Sequence, residues 1–382
     1  MLRIVHLDTA REFRGGQRQL LLLARGLRER GHEQRIVCPR GSALEAQAKA
    51  EGFAVLPQQS HGPGKLGSLL EVRRELRRGG FQVAHAHDGH GQTLSALASL
   101  GLEVRRVATR RVTFMPQGLG YWLRIHRLQY GPGCDAVVAV SKFVRDLLVD
   151  CGVAASKIEI IRDGIEIPAE RPDATLRARS RRHWGLDPEV FVIGHAGAFT
   201  EEKGQDLLLQ AFVQGGESLA GAHLLLAGDG PLLSSVRIVD LLRQSQGRAH
   251  LLGWLEDLTP FFAAIDLYVM PSRAEGLGSS VLLAMAHGLP VVASQVGGLP
   301  ELVEEGRTGW LVPPASPSAL AKALTAATSD REGLGCLGAA GRERAREFSD
   351  ATMVNRTEAL YRRLTSARGL EVNHRAGNRW RG

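Results

Sequence analysis

At 382 residues and 41.3 kDa the chain exceeds what one hydrophobic core usually serves, and with 44% hydrophobic and 23% charged residues it is too apolar for a disordered protein. A single small module is excluded, and two domains of ordinary size are expected. The net charge of +8 is unevenly spread: residues 1–168 carry 25 Lys+Arg against 16 Asp+Glu and residues 169–365 carry 19 against 23, so the first half is the one suited to an anionic partner such as a phospholipid surface.

The opening stretch, MLRIVHLDTAREF, lacks the long apolar run and small-residue cleavage site of a secretory signal. Cys38, Cys134, Cys151 and Cys336 form no C-x-x-C pair, which argues against a disulfide framework or a zinc ribbon and for a cytoplasmic protein. A strand is expected at Arg3–Leu7, then a glycine loop, Phe13-Arg14-Gly15-Gly16-Gln17, then an amphipathic helix near Gly16–Gly31 and a strand at Gln34–Cys38. Further strands are expected at Gln82–His85, Val104–Thr109 and Ala136–Val140.

The run His85-Ala86-His87-Asp88-Gly89-His90-Gly91 ends one of these strands, and the two-residue period puts His85 and His87 on one face. A metal pair must be weighed there, but no further ligand cluster is legible and no metal is expected. Arg105, Arg106, Arg110 and Arg111 precede Phe114, Met115, Tyr121, Trp122, Leu123 and Ile125, an interleaving of cations and apolar groups that suits an anionic leaflet; the apolar members fit a domain core equally well. No recognition helix or base-stacking motif accompanies the charge, so nucleic acid is not an expected partner.

Two prolines and alternating charge mark Ile165–Asp173 as a linker. The strand-and-helix alternation then restarts at Val190–Gly194 and continues with strands at Ala222–Ala227, Ala249–Leu252, Leu267–Met270 and Pro290–Ser294. The fold class is therefore α/β, with two Rossmann-like parallel-sheet domains at 1–168 and 173–350, a final helix at 351–365, and a basic, disordered tail at 366–382. The uncharged run Gly276–Pro300 contains His287, Gly288, Pro290 and Gly297-Gly298; it reads as loop, helix, turn, strand and loop rather than as a membrane span.

The strongest chemical signal is Met270-Pro271-Ser272-Arg273-Ala274-Glu275-Gly276-Leu277-Gly278-Ser279-Ser280. A strand ends in proline, and a glutamate sits on a glycine-rich turn that opens a helix, whose backbone N–H groups and dipole form an anion site. Taken locally, the same turn is also an ordinary strand-to-helix connection with a serine cap. Neither G-x-G-x-x-G nor a Walker motif occurs, which counts against nicotinamide, flavin and P-loop chemistry.

With the following VLLAMAHGLPVVAS, this segment resembles the family 4 retaining glycosyltransferases, whose signature is proline-serine, E-G-x-G and then A-M-A-x-G-x-P-V-V-A. The resemblance implies the GT-B fold, two such domains facing a cleft with the final helix crossing back to the first, the acceptor held by the first domain and the nucleotide sugar by the second. It extends to Gly197–Gly204, where Lys203 matches the diphosphate-binding lysine, to the Gly15-Gly16 loop, and to His87 as the histidine beside the transferred sugar. Ala139-Val140-Ser141, Ile161–Ile165, Leu226–Leu232, the HLLGW segment with Gly253, and Gly297–Glu301 also fit.

By this resemblance Glu275, His87 and Lys203 are the catalytic candidates. Gly15, Gly16, Gly197, Lys203, Gly253, Glu275, Gly276, Gly278, Ser279 and Ser280 are the donor-binding candidates. The chain departs from the family at Leu283, where a second glutamate would stand, and at Ala198, where an arginine would.

The expected function is transfer of a sugar from a nucleotide diphosphate donor to a glycan or lipid-linked acceptor, as in lipopolysaccharide or other cell-surface polysaccharide synthesis. No cofactor or metal is expected, and the location is the cytoplasm or the inner membrane face. The alternatives are a noncatalytic sugar-nucleotide-binding protein, favoured by Leu283 and Ala198, and a same-fold epimerase, for which no acid and base groups are identifiable.

Overall fold

The computed structural model describes residues 1–59, 64–113 and 129–377. By contact the chain divides into two units: Met1–Gly164 with Asp350–Gly382, and Ile165–Ser349. The stretch from Phe114 to Ile125, proposed above to meet a membrane, lies outside the described residues.

The first unit is built on a parallel sheet of seven strands in the order β3-β2-β1-β4-β5-β6-β7. These are β1 Arg3–Leu7, β2 Glu33–Pro39, β3 Ala54–Gln58, β4 Val83–Ala86, β5 Arg105–Arg110, β6 Ala136–Ala139 and β7 Ile158–Ile160. β1 and β4 are almost wholly buried, as central strands of a sheet covered on both faces must be. Ser42, Asp88 and Ser141 each cap the helix that follows a strand, accepting the N–H three residues on.

The helix Asp350–Gly377 belongs to this unit rather than to the one that precedes it in sequence. Its Met353, Val354, Leu360 and Tyr361 join Leu2, Ile4, Leu23, Leu27, Val83 and Val107 in one core cluster. Each such aliphatic side chain contributes about 1.5–3 kcal/mol by leaving water. Gly26 permits this docking, because a Cβ there would lie 2.6 Å from Val354 Cγ2. The helix runs to Gly377, so residues 366–377, expected above to be a disordered tail, continue it instead; Ala367, Leu370 and Glu371 are good helix formers.

The second unit carries a parallel sheet of six strands in the order β10-β9-β8-β11-β12-β13. They are β8 Phe191–Ala196, β9 Ala222–Ala227, β10 Ala249–Gly253, β11 Leu267–Met270, β12 Val291–Ser294 and β13 Gly309–Val312. Phe191, Ile193, Leu224, Leu226, Leu267, Val269 and Val292 form the sheet's contribution to the core, against Phe199, Leu208, Phe212 and Leu324.

A buried arginine ties the start of this unit together. Arg181 donates to Asp266 Oδ2 (2.8 Å), to Ala264 O (3.0 Å) and to Val190 O (2.9 Å), so its charge is paired and its donors are used. Among the described residues no helix is long and apolar enough to cross a membrane.

Candidate functional site

In both sheets the loops at the carboxyl ends of the strands carry the candidate residues, the place where α/β sheets bind ligands. In the second unit, β8 leads through Gly197 to the short turn Glu201–Lys203 and the helix Gln205–Gln214. Gly204 joins them at φ +67°, with room for no side chain: a Cβ would lie 2.3 Å from Pro271 O. That approach brings the β8 loop onto the β11 loop, where Arg273 N donates to Glu202 O (2.7 Å). Arg273 also forks onto both oxygens of Asp206 at 2.8 and 2.7 Å.

The two braced loops present Lys203 and Glu275 to each other. Lys203 Nζ donates to Glu275 Oε2 at 2.5 Å, and Ser272 Oγ donates to the same oxygen at 3.4 Å. Gly278, at φ +104°, turns the chain into the helix Ser279–Ala286, which begins after Glu275-Gly276-Leu277-Gly278. Glu275 is fixed from behind as well, since Gly298 N donates to its carbonyl at 3.2 Å and Gly297, at φ +55°, lies so close that a Cβ would sit 1.7 Å from that oxygen. A cation, a carboxylate and a helix N-terminus thus converge on one rim, an arrangement that can hold an anion and a hydroxyl side by side.

Of the other candidates in this unit, Gly197 N donates to Ala227 O at 3.0 Å, and Gly228 N donates to Gly253 O at 2.7 Å. These contacts bind the ends of β8, β9 and β10 into one edge. Gly276 is buried, while Ser279 and Ser280 are half-buried. At the departures, the Ala198 carbonyl accepts from Gln205 Nε2 (2.8 Å) and Leu283 is half-buried on the helix that opens at Ser279.

In the first unit Gly15 and Gly16 open the helix Gly15–Glu29, and a Cβ on Gly16 would meet nothing within 4 Å. Packing therefore does not require glycine at that position. The loop is held by Gln17, which donates from Nε2 to both Asp8 oxygens (3.0 and 2.9 Å) and accepts the Arg14 N–H (2.9 Å). Of the basic cluster proposed for a leaflet, Arg105 and Arg106 pair with Asp135 and Arg111 with Asp163, so these three are committed within the protein.

His87 follows β4 and is part of a larger group than the sequence suggested. His6 pairs across the sheet with His85 in register, and His6, His85 and His87 bring ring nitrogens within 4.8 Å of one another. A third potential metal ligand thus stands beside the His85/His87 pair, contrary to the expectation of no further cluster. Its signal, a lone histidine in the apolar strand RIVHL, acquires meaning only through the β1–β4 pairing. His6 and His85 use both ring nitrogens in hydrogen bonds: His6 with His87 and Gln34, His85 with Tyr361 (2.5 Å) and Thr109 (2.7 Å).

Burial keeps these histidines neutral. It lowers His6 from 6.5 to about 4 and drives His85 and His87 well below 6.5; in the second unit it lowers His195 to about 4. Burial acts oppositely on acids, raising Asp8 from 3.8 to about 6, with the Asp88 charge adding to the rise. A depressed histidine pKa contributes stability that is complete above 6.5 and is lost as pH falls from there toward 4. At pH 5 His6 forfeits about 2 kcal/mol, against about 1–2 kcal/mol returned by protonated Asp8; His85 and His87, lowered in the same direction as His6, add to the loss, and Asp88, raised like Asp8, to the return. Calorimetry should accordingly show the Tm of the first unit falling between pH 7.5 and 5; a flat Tm would contradict neutral burial.

Residues 13–167 match the family described as Glycosyltransferase Family 4, and residues 190–330 match Glycosyl transferases group 1. A GDP-mannose-dependent alpha-(1-6)-phosphatidylinositol monomannoside mannosyltransferase of Mycobacterium tuberculosis is 29% identical over 360 residues, covering 86% of this chain and 90% of that protein. The alpha-maltose-1-phosphate synthase of Mycolicibacterium smegmatis is 31% identical over 315 residues, 74% of this chain and 79% of that one. Among solved structures, Anabaena HepE in complex with UDP superposes with a TM-score of 0.84 at 21% identity, covering 94% of this chain and 99% of that one. The chain belongs to the group 1, family 4 glycosyltransferases, and it is an enzyme of that kind.

Proposed function

We propose that the chain is a retaining glycosyltransferase that moves a hexosyl group from a nucleoside diphosphate sugar to a hydroxyl of a glycan or lipid-linked acceptor. The observation that carries this reading is the Lys203–Glu275 pair at 2.5 Å beside the N-terminus of the helix Ser279–Ala286. On this reading the donor diphosphate takes Lys203 and the helix N–H groups, which offset the charge that grows on the leaving phosphate. Glu275, released from Lys203, then accepts from hydroxyls of the donor sugar. Within the first unit, taken by itself, His87 accepts from a hydroxyl of a sugar substrate, and the Gly15-Gly16 loop offers backbone N–H groups.

Relatives named as a GDP-mannose-dependent mannosyltransferase and as a D-inositol 3-phosphate glycosyltransferase support a sugar nucleotide as donor and a polyhydroxylated acceptor. No metal takes part in this account, since Lys203 and backbone amides supply the positive charge. Proton NMR of the product tests the stereochemistry: the new bond keeps the donor's anomeric configuration, and transfer persists in EDTA. An inverted product would refute the retaining mechanism.

We further place the enzyme at an anionic lipid surface. The helix Gly64–Arg78 exposes Leu66 (65%) and Leu70 (53%) one turn apart, with exposed Arg74, Arg77 and Arg78 beyond them. The protein should cosediment with phosphatidylglycerol vesicles at low salt and detach as salt rises, and Leu66→Glu with Leu70→Glu should abolish the binding. Equal recovery on neutral vesicles would contradict this placement.

A further inference from the structure

His87 is buried, with 6% exposure, and among the described residues its Nδ1 has no hydrogen-bond partner. A buried polar atom left without a partner is costly, so a site that retains one is arranged for a group that arrives later. What that group must be depends on whether Nδ1 carries a proton, and a chain of three residues decides it.

Gln34, on β2, donates from Nε2 to Ala24 O at 2.8 Å, so its Oε1 is the atom that faces His6 Nε2 at 3.0 Å. An amide oxygen only accepts; His6 Nε2 therefore carries the proton. In a neutral imidazole the other nitrogen is then bare, so His6 Nδ1 accepts from His87 Nε2–H across 3.0 Å. With its proton on Nε2, His87 presents a lone pair at Nδ1. His85 does not compete for this bond, because Thr109 and Tyr361 occupy its nitrogens.

We propose that Gln34 and His6 are positioning residues that lock His87 into the tautomer whose Nδ1 accepts a hydrogen bond from a substrate hydroxyl. The inference rests on the reading above in which His87 meets a sugar hydroxyl, and it adds two residues that reach no substrate themselves. The fold supplies the order of the relay: β2, β1 and β4 are adjacent in the sheet, so Gln34, His6 and His87 lie on neighbouring strands or just past their ends.

The test uses the full chain labelled with 15N-histidine, together with His6→Phe and Gln34→Met. Long-range 1H–15N spectra of the wild type should show His87 protonated at Nε2 and bare at Nδ1, without any substrate present. Gln34→Met, at a half-buried position, removes the terminal acceptor with little change of shape; it should shift His6 and His87 toward the other tautomer and lower kcat/KM by about five- to tenfold, the loss of roughly one hydrogen bond. His6→Phe should do the same.

Nucleoside diphosphate affinity should stay unchanged throughout. His87 protonated at Nδ1 in the wild type, or a tautomer indifferent to both Gln34→Met and His6→Phe, would overturn the relay whatever the activity. A tautomer that shifts with no effect on transfer would overturn its part in the reaction. Failure of the broader functional reading shows separately, as absence of transfer by the wild type, because the spectra require no turnover.

Discussion

Glu275→Gln is expected to lower kcat by about 10²–10³-fold while leaving nucleoside diphosphate affinity equal or slightly tighter. The substitution keeps the size of the side chain and removes its charge. Lys203, which holds Glu275 Oε2 at 2.5 Å, would then lack its internal counter-charge and be more available to a diphosphate. The product nucleotide therefore loses nothing, whereas the sugar loses a strong acceptor for its hydroxyls during transfer. Titration calorimetry with the nucleoside diphosphate and steady-state rates separate the two effects. A folded variant with unchanged kcat would remove Glu275 from the reaction.

Gly297→Ala should affect the same carboxylate through the backbone. The residue sits at φ +55°, which costs a non-glycine residue about 1 kcal/mol, and the new Cβ would fall 1.7 Å from Glu275 O. A backbone carbonyl does not yield as a flexible side-chain tip would, so the Glu275 loop must move by more than an ångström. Displacement on that scale costs about 100-fold in rate. The expected result is a similar fall in kcat with a lower Tm, and wild-type values for both would show that the loop at Gly297 does not set the position of Glu275.

The sequence pattern located the buried strands far better than the sheet edges. Arg3–Leu7, Ala222–Ala227 and Leu267–Met270 were legible to the residue, because strands covered on both faces are short apolar runs bounded by turn residues. The strands missed, Ala54–Gln58, Ile158–Ile160 and Gly309–Val312, are edge strands whose residues are mostly half-buried, and Pro57 further disguises the first. They exist because a neighbour offers a ladder, which no local pattern records.

The site shows the same division. Lys203 and Glu275 were identifiable by resemblance, but their pairing links positions 72 residues apart through contacts of Gly204 and Arg273 that depend on the β8–β11 neighbourhood. His6, Gln34 and Asp8 gave no signal of their own, since each draws its role from a partner on another strand or helix. The return of Asp350–Gly377 to the first unit was expected from the resemblance, whereas its length was obscured by a basic composition that also suits a tail.

The central claim is that Lys203 and Glu275 mark the place where a nucleoside diphosphate sugar is cleaved. Its most direct test is nucleoside diphosphate release from a panel that includes GDP-mannose and UDP-glucose, with wild type and Lys203→Ala assayed in parallel and both variants' folding checked by calorimetry. The account predicts release by the wild type from at least one donor, and a loss of about 100-fold or more in kcat/KM for that donor in Lys203→Ala, because the lysine meets the diphosphate in both the bound and the transition state. Release at wild-type rate by a folded Lys203→Ala would contradict it.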